Sequence, residues 1–279
     1  MDNVCHSLAG AVIAQAGFAK RFPRATLLCI VGANIPDVDA FTYIWADSLT
    51  ALQFRRGWTH GIVALGFWTL LLTAVFWWWH RRDARQPDES DKAPLSAIFL
   101  ASFFSVWSHT SLDWLNNYGV RWLMPFSERW FYGDTLFIVD LTLLLLFGGG
   151  WWLSRRRRTR GLLRPDRPAR LALALALAYI VGMKGLSEAT RSAAKRELGI
   201  PQANARQLMV SPKPVSLLMR DVLVRSGASY DWYEARVTSG SIILSPLTAA
   251  VPIGAEDPRA IAAAKTAEGR GFLRWSRFP

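Results

Sequence analysis

The chain has 279 residues, 51% of them hydrophobic, with 14 tryptophans and a mean hydropathy of +0.15. That is too apolar and too aromatic for an average soluble domain. The 2 cysteines, Cys5 and Cys29, exclude a disulfide scaffold. The net charge of +12 does not make the chain a nucleic-acid binder, because its basic residues concentrate in short loops between apolar runs.

Apolar stretches cover residues 4–19, 25–45, 62–79, 95–115, 135–153 and 171–186. A membrane span needs about 20 apolar residues. The third to fifth stretches meet that length, the first and last are short, and polar residues interrupt the second. Met1-Asp2-Asn3 has no positive n-region, so the N-terminus reads as mature protein. The expectation is a mainly α polytopic transmembrane bundle of about six spans over residues 1–186. Residues 187–279 are expected to form a small extramembrane α+β domain. There, a polar helix over 187–198 ends at Gly199 and Pro201. Strand-like runs follow at 215–225, 230–237 and 241–247, a helix over 257–268, and a further strand is expected where Phe278-Pro279 stands.

The loops sort by charge. Lys20, Arg21 and Arg24 follow the first stretch, and Arg81, Arg82, Arg85 and Lys92 follow the third. Arg155, Arg156, Arg157, Arg158, Arg160, Arg164, Arg167 and Arg170 lie between the fifth and sixth. The alternate loops hold only Arg55 and Arg56, then Arg121 and Arg129. The positive-inside rule puts the first set in the cytoplasm. Both termini and the C-terminal domain are then extracytoplasmic. Trp77-Trp78-Trp79 and Trp151-Trp152, each just ahead of arginines, read as interfacial belts, and basic residues at that depth attract lipid head groups.

On this layout three of the 4 histidines and most intramembrane acids fall at one depth, on the outer side. His109 and Asp113 share a helix face one turn apart, so imidazole and carboxylate can reach one ion or simply pair with each other. Ionisable groups at that depth are costly unless paired, hydrated or bound to an ion. Pro36 breaks the second stretch, and Asp37 and Asp39 project from the break. Two close carboxylates repel unless a cation neutralises them, although one of them can equally cap a following helix. His60 stands at a helix entry beside Arg56, where an anion such as phosphate can bind, and Trp58 can serve as an interfacial anchor. Asp134 can cap the fifth span, while Asp140 lies inside an apolar run. Mixed imidazole and carboxylate donors suit Zn²⁺ first, with Mn²⁺ or iron as alternatives. The HExxH pattern of zincins is absent.

Taken in order, these motifs resemble a known family. They are His6-Ser7-Leu8-Ala9-Gly10, Asn34-Ile35-Pro36-Asp37-Val38-Asp39, Arg56-Gly57-Trp58-Thr59-His60-Gly61, Ser108-His109 through Asp113, Tyr118-Gly119-Val120, Pro125-Phe126-Ser127 and Gly133-Asp134 through Asp140. The chain resembles the bacterial inner-membrane metal-dependent hydrolases of the YdjM/YbcI type, also described as LexA-regulated, closely over residues 1–150 and more loosely beyond. A more distant similarity runs to helical zinc-dependent phospholipases C and P1-type nucleases. The resemblance implies metal ligands His6, Asp37, Asp39, His60, His109 and Asp113, with Asp134 and Asp140 as candidates for the same site. One position departs: family members often carry a histidine where this chain has Arg55.

The resulting expectation is a hydrolase of an ester or phosphoester at the outer face of the inner membrane, with membrane lipids as partners and a lipid-linked substrate fitting the location. Asp39 or Asp134 would accept a proton and Arg56 would hold an anionic group. Two rival readings are an ion-coupled carrier, for which Asp140 and the broken second stretch are the relevant features, and a non-catalytic regulatory membrane protein.

Overall fold

Where the chain can sustain a long apolar helix decides how much of it can cross a membrane. The computed structural model describes residues 1–83, 94–200, 208–254 and 256–278. Its helices are α1 (Asn3–Ile13), α2 (Ala25–Gly32), α3 (Ser48–Phe54), α4 (Ile62–Asp83), α5 (Leu95–Trp114), α6 (Leu141–Thr159), α7 (Arg167–Glu197), α8 (Pro258–Ala264) and α9 (Ala267–Trp275). Among the described residues three stretches are long and apolar enough to span: Ile62–Arg82, Leu95–Trp114 and Arg167–Glu197. A fourth is gained if α2 and the 3₁₀ segment Ile35–Ile44, bent by 53°, count as one broken span.

Six spans are therefore not supported. Even with its π-helical continuation Ala14–Phe18, α1 rises only ~24 Å, against a hydrocarbon core of ~30 Å. Leu141–Thr159 has 19 residues, but Arg155 to Arg158 occupy its last turns and leave an apolar length of ~20 Å. The break at Pro36 follows expectation, since proline disfavours helix at the residue before it. Arg85, Lys92, Pro201 and Pro279, all used in the sequence reading, lie outside the described residues.

The chain forms two units. The first comprises Met1–Val38, Arg56–Tyr132 and Ile138–Val181; the second comprises Asp39–Arg55, Gly133–Phe137 and Gly182–Pro279. In the first, Leu28, Cys29, Leu65, Leu72, Ile98, Ala101 and Val106 build a core shared by α2, α4 and α5. Small residues let these helices approach. A Cβ on Gly10 would lie 2.3 Å from the Cys29 carbonyl oxygen, and one on Gly32 would lie 2.1 Å from Ser105 Oγ. On the outside of α4, Phe67, Leu70 and Val75 are exposed, as lipid-facing side chains should be.

Connectivity gives this unit two chemically different ends. His60 stands just before α4, which finishes at Arg81 and Arg82, and α5 ends at His109 and Asp113. Asp2 N donates to Ile138 O (3.2 Å), bringing the start of α1 beside the start of α6, which finishes at its arginines. Arg24 lies over the Trp79 ring, 4.3 Å from its centroid, joining the start of α2 to the end of α4. His6, His60 and His109 thus gather at one end of the helices, while Arg81, Arg82 and Arg155 to Arg158 lie at the other together with His80.

The second unit contains an antiparallel sheet ordered β1 (Leu208–Pro212), β2 (Met219–Ser226), β3 (Ser229–Val237), β4 (Ile242–Pro246), with β5 (Val251–Pro252) also paired to β3. Leu208, Val210, Val222, Val224 and Ala235 pack with Ala194 of α7. The strand expected from 215 starts only at Met219, because Val215 adopts φ +60° and Ser216 Oγ accepts from Met219 N. β1 and β5 are not among the runs expected from the sequence. The helix expected over 257–268 is two helices, the second capped by Thr266, which accepts from Gly269 N (2.9 Å). The strand expected at the chain end is instead preceded by α9, which packs on α3: a Cβ on Gly271 would lie 1.9 Å from Gln53 Nε2.

Candidate metal centre

Two loops and one helix end deliver four donors to one point in the first unit. The Pro36 break supplies Asp37, the turn before α4 supplies His60, and the last turns of α5 supply His109 and Asp113. One ligand atom from each lies within 4.8 Å of every other. His60 Nε2 is 3.1 Å from His109 Nε2, 3.8 Å from Asp37 Oδ1 and 3.5 Å from Asp113 Oδ2. His109 Nε2 is 3.9 Å from Asp37 Oδ1 and 3.6 Å from Asp113 Oδ2. Donors around a four-coordinate ion with bonds of ~2.0–2.1 Å sit ~3.3 Å apart, and donor atoms gathered this closely could hold one metal ion.

Surrounding groups orient the donors. Ala33 O, which can only accept, lies 2.7 Å from His109 Nδ1. That nitrogen therefore carries the ring proton and Nε2 turns its lone pair toward the cluster. His60 Nδ1 contacts Thr59 Oγ1 at 2.9 Å. Asp113 is divided by function: Oδ1 receives the Met1 amino group, His6 Nε2 (3.2 Å) and Arg56 Nη2 (3.2 Å). Oδ2 is buried with no hydrogen-bond partner among the described residues. A buried carboxylate oxygen in that state, facing two imidazole nitrogens, is what a cation would satisfy.

The other expected site residues fall elsewhere. His6 is fully buried, but its Nε2 addresses the outer oxygen of Asp113, and its ring stacks on His109 with centroids 3.9 Å apart. It supports the group without joining the four donors. Arg56 is 5% exposed and is engaged by protein: Nη1 donates to Asn116 Oδ1 (3.1 Å), Nη2 to Asp113, and the guanidinium covers the Tyr118 ring. An anion-holding role would need that fork to be free of such contacts, so Arg56 is better described as the residue that positions Asp113. Asp140 caps α6, accepting from Leu143 N (3.0 Å) and from Tyr179 Oη (2.8 Å). The second carboxylate of the Pro36 turn, Asp39, belongs to the second unit and faces Arg55 Nη1 at 3.3 Å.

Asp134 also belongs to the second unit. Both of its oxygens are taken by Arg277 (2.7 and 2.8 Å), and Arg191 adds a third contact at 2.9 Å. The residue is 1% exposed with φ +51°, and Ser187 Oγ donates to its carbonyl at 2.6 Å. With both oxygens engaged by guanidiniums, Asp134 serves as their counter-ion. Asp134→Asn should leave two cations without their counter-ion and lower stability by about 3 kcal/mol, with metal content unchanged. Thermal melting and metal analysis of the same sample check this, and an unchanged melting point would refute the structural role.

Sequence reasoning missed the outer supports Ala33, Thr59 and Asn116. A backbone carbonyl carries no sequence signal, and an asparagine near a membrane boundary has many uses.

Residues 1–189 match the family described as YdjM inner membrane protein. A Bacillus subtilis (strain 168) protein described as "Uncharacterized protein YfhP" is 25% identical over 140 residues, covering 47% of this chain and 39% of that protein. No solved structure matches.

Proposed function

The chain belongs to the YdjM inner membrane protein family, and from that premise we propose that it is a membrane-embedded, metal-dependent hydrolase of an ester or phosphoester. The observation that carries this reading is the set of two imidazole nitrogens and two carboxylate oxygens, with five of their separations between 3.1 and 3.9 Å. Zn²⁺ suits the donors best, with Mn²⁺ or iron as alternatives. A divalent ion there would polarise a substrate oxygen and lower the pKa of bound water toward about 7.

The chain's own residues hold that chemistry in place. His109 is fixed as the Nδ1–H tautomer by Ala33, and Asp113 is held by Arg56 and His6. Three of the donor residues are buried, while the Asp37 side chain is 10% exposed, so a substrate would approach on the Asp37 side. Arginines gathered at the opposite helix ends support a cytoplasmic position for those ends and an extracytoplasmic one for the donors. A lipid-linked phosphoester fits that depth. The carrier reading relies on Asp140 as a membrane carboxylate, and the cap and tyrosine contacts of Asp140 give it a structural task instead.

The test is hydrolysis by detergent-purified protein of a panel of phosphoesters and lipid esters. Activity should vanish on chelation, return with Zn²⁺ and be lost in Asp37→Asn. Metal-replete protein that cleaves nothing in the panel would overturn the enzymatic reading and favour a regulatory one.

A further inference from the structure

At the arginine end of the first unit, the π-helical turn after α1 (Ala14–Phe18), the start of α2 and the last turns of α6 enclose a cavity of about 340 Å³. Gln15, Thr26, Trp151, Arg155, Arg158 and Thr159 are among its lining residues, and no carboxylate lines it among the described residues. Several polar atoms of this lining are buried without a hydrogen-bond partner among the described residues: Arg158 Nε and Nη2, Trp151 Nε1 and Gln15 Oε1. Native proteins rarely leave so many buried polar atoms unsatisfied in one place. The lining offers two guanidiniums and an indole N–H, all donors, beside one amide oxygen that accepts.

We propose that this cavity binds the head group of an anionic glycerophospholipid, its phosphate on Arg155, Arg158 and Trp151 and a head-group hydroxyl on Gln15 Oε1. An acceptor-rich anion matches the donors, and planar guanidinium forks suit phosphate oxygens. The surroundings identify the source as lipid. Arg156 lies over Trp152, Arg24 over Trp79 and Arg82 over Trp78, at 5.1, 4.3 and 4.2 Å, and Trp152 and Trp78 are more than half exposed. Paired cations and indoles of this kind mark head-group depth. A space of this size also exceeds what a bare phosphate fills. The assignment is independent of the metal centre.

Native mass spectrometry of the full chain, released from nanodiscs of phosphatidylcholine with phosphatidylglycerol, tests it. The wild type should retain about one phosphatidylglycerol in preference to phosphatidylcholine. Arg155→Gln with Arg158→Gln should abolish that retention. Arg160→Gln with Arg164→Gln removes the same charge without touching the lining, and should keep it. Equal loss in both double variants would show a diffuse charge effect and overturn the cavity. Binding of inorganic phosphate with no retained phospholipid would overturn the lipid assignment. Melting curves of both double variants should match the wild type, since the substituted side chains line an open helix end; a collapse confined to the lining pair would instead make these arginines structural and refute the site.

Discussion

Replacing His60 and His109 together with alanine should take metal content from about one ion per chain to background. These residues supply both nitrogen donors, and their Nε2 atoms stand 3.1 Å apart. With His109 protonated on Nδ1 by its bond to Ala33, its Nε2 lone pair points at His60. A cation between the two rings turns that arrangement into a binding site. Two carboxylates alone would leave a hard, oxygen-only pair that Zn²⁺ favours far less. Elemental analysis of detergent-purified protein reads the result. Because the double variant also empties buried volume, Asp37→Ala serves as the companion: its side chain is partly exposed, so it should fold normally and still lose metal. Stoichiometric zinc in the histidine double variant would end the proposal of a metal centre here.

Arg56→Ala should weaken metal binding by about 10–100-fold and destabilise the apoprotein by about 3–5 kcal/mol. The guanidinium links Asn116 Oδ1 to Asp113 Oδ1, and its backbone sits at φ +53°, held by a bond from Arg121 N to Arg56 O (3.0 Å). A side chain placed by a strained backbone and used by two acceptors at once is acting as a brace. Removing it leaves Asp113 buried with less positive charge and free to turn, so Oδ2 no longer addresses the two imidazoles. Arg56→Lys should not rescue, because a point charge cannot reproduce the fork that meets both partners. Added zinc should restore part of the lost melting temperature, since a ligand that binds only the folded state stabilises it. Isothermal titration and thermal melting with and without metal measure both effects. Wild-type affinity in Arg56→Ala would show that Asp113 needs no brace.

Much of the local structure was legible because its causes are local. Pro36 interrupts the second apolar run, and Asp257 precedes a helix that begins where its side chain accepts a backbone N–H group; the cap expected at Asp134 falls instead at Asp140. His109 and Asp113 meet because a helix turn brings residues four apart together. Span number was overread because an apolar run measures composition, while crossing a bilayer depends on continuous helix length. The 135–153 run contains a loop up to Asp140 and then a helix too soon filled with arginine.

Residue order by itself settled the apolar helical character, the concentration of arginines in a few short segments, and the residue types able to hold a divalent ion. Only the folded chain decided how those residues divide. It set His6 against one oxygen of Asp113 while leaving the other for the imidazoles, and it drew Asp134 to Arg277, 143 positions away. Pairing between distant charges depends on how the intervening chain packs, and no spacing rule spans that separation. A carboxylate reads the same in sequence whether an arginine, a helix end or a metal will neutralise it.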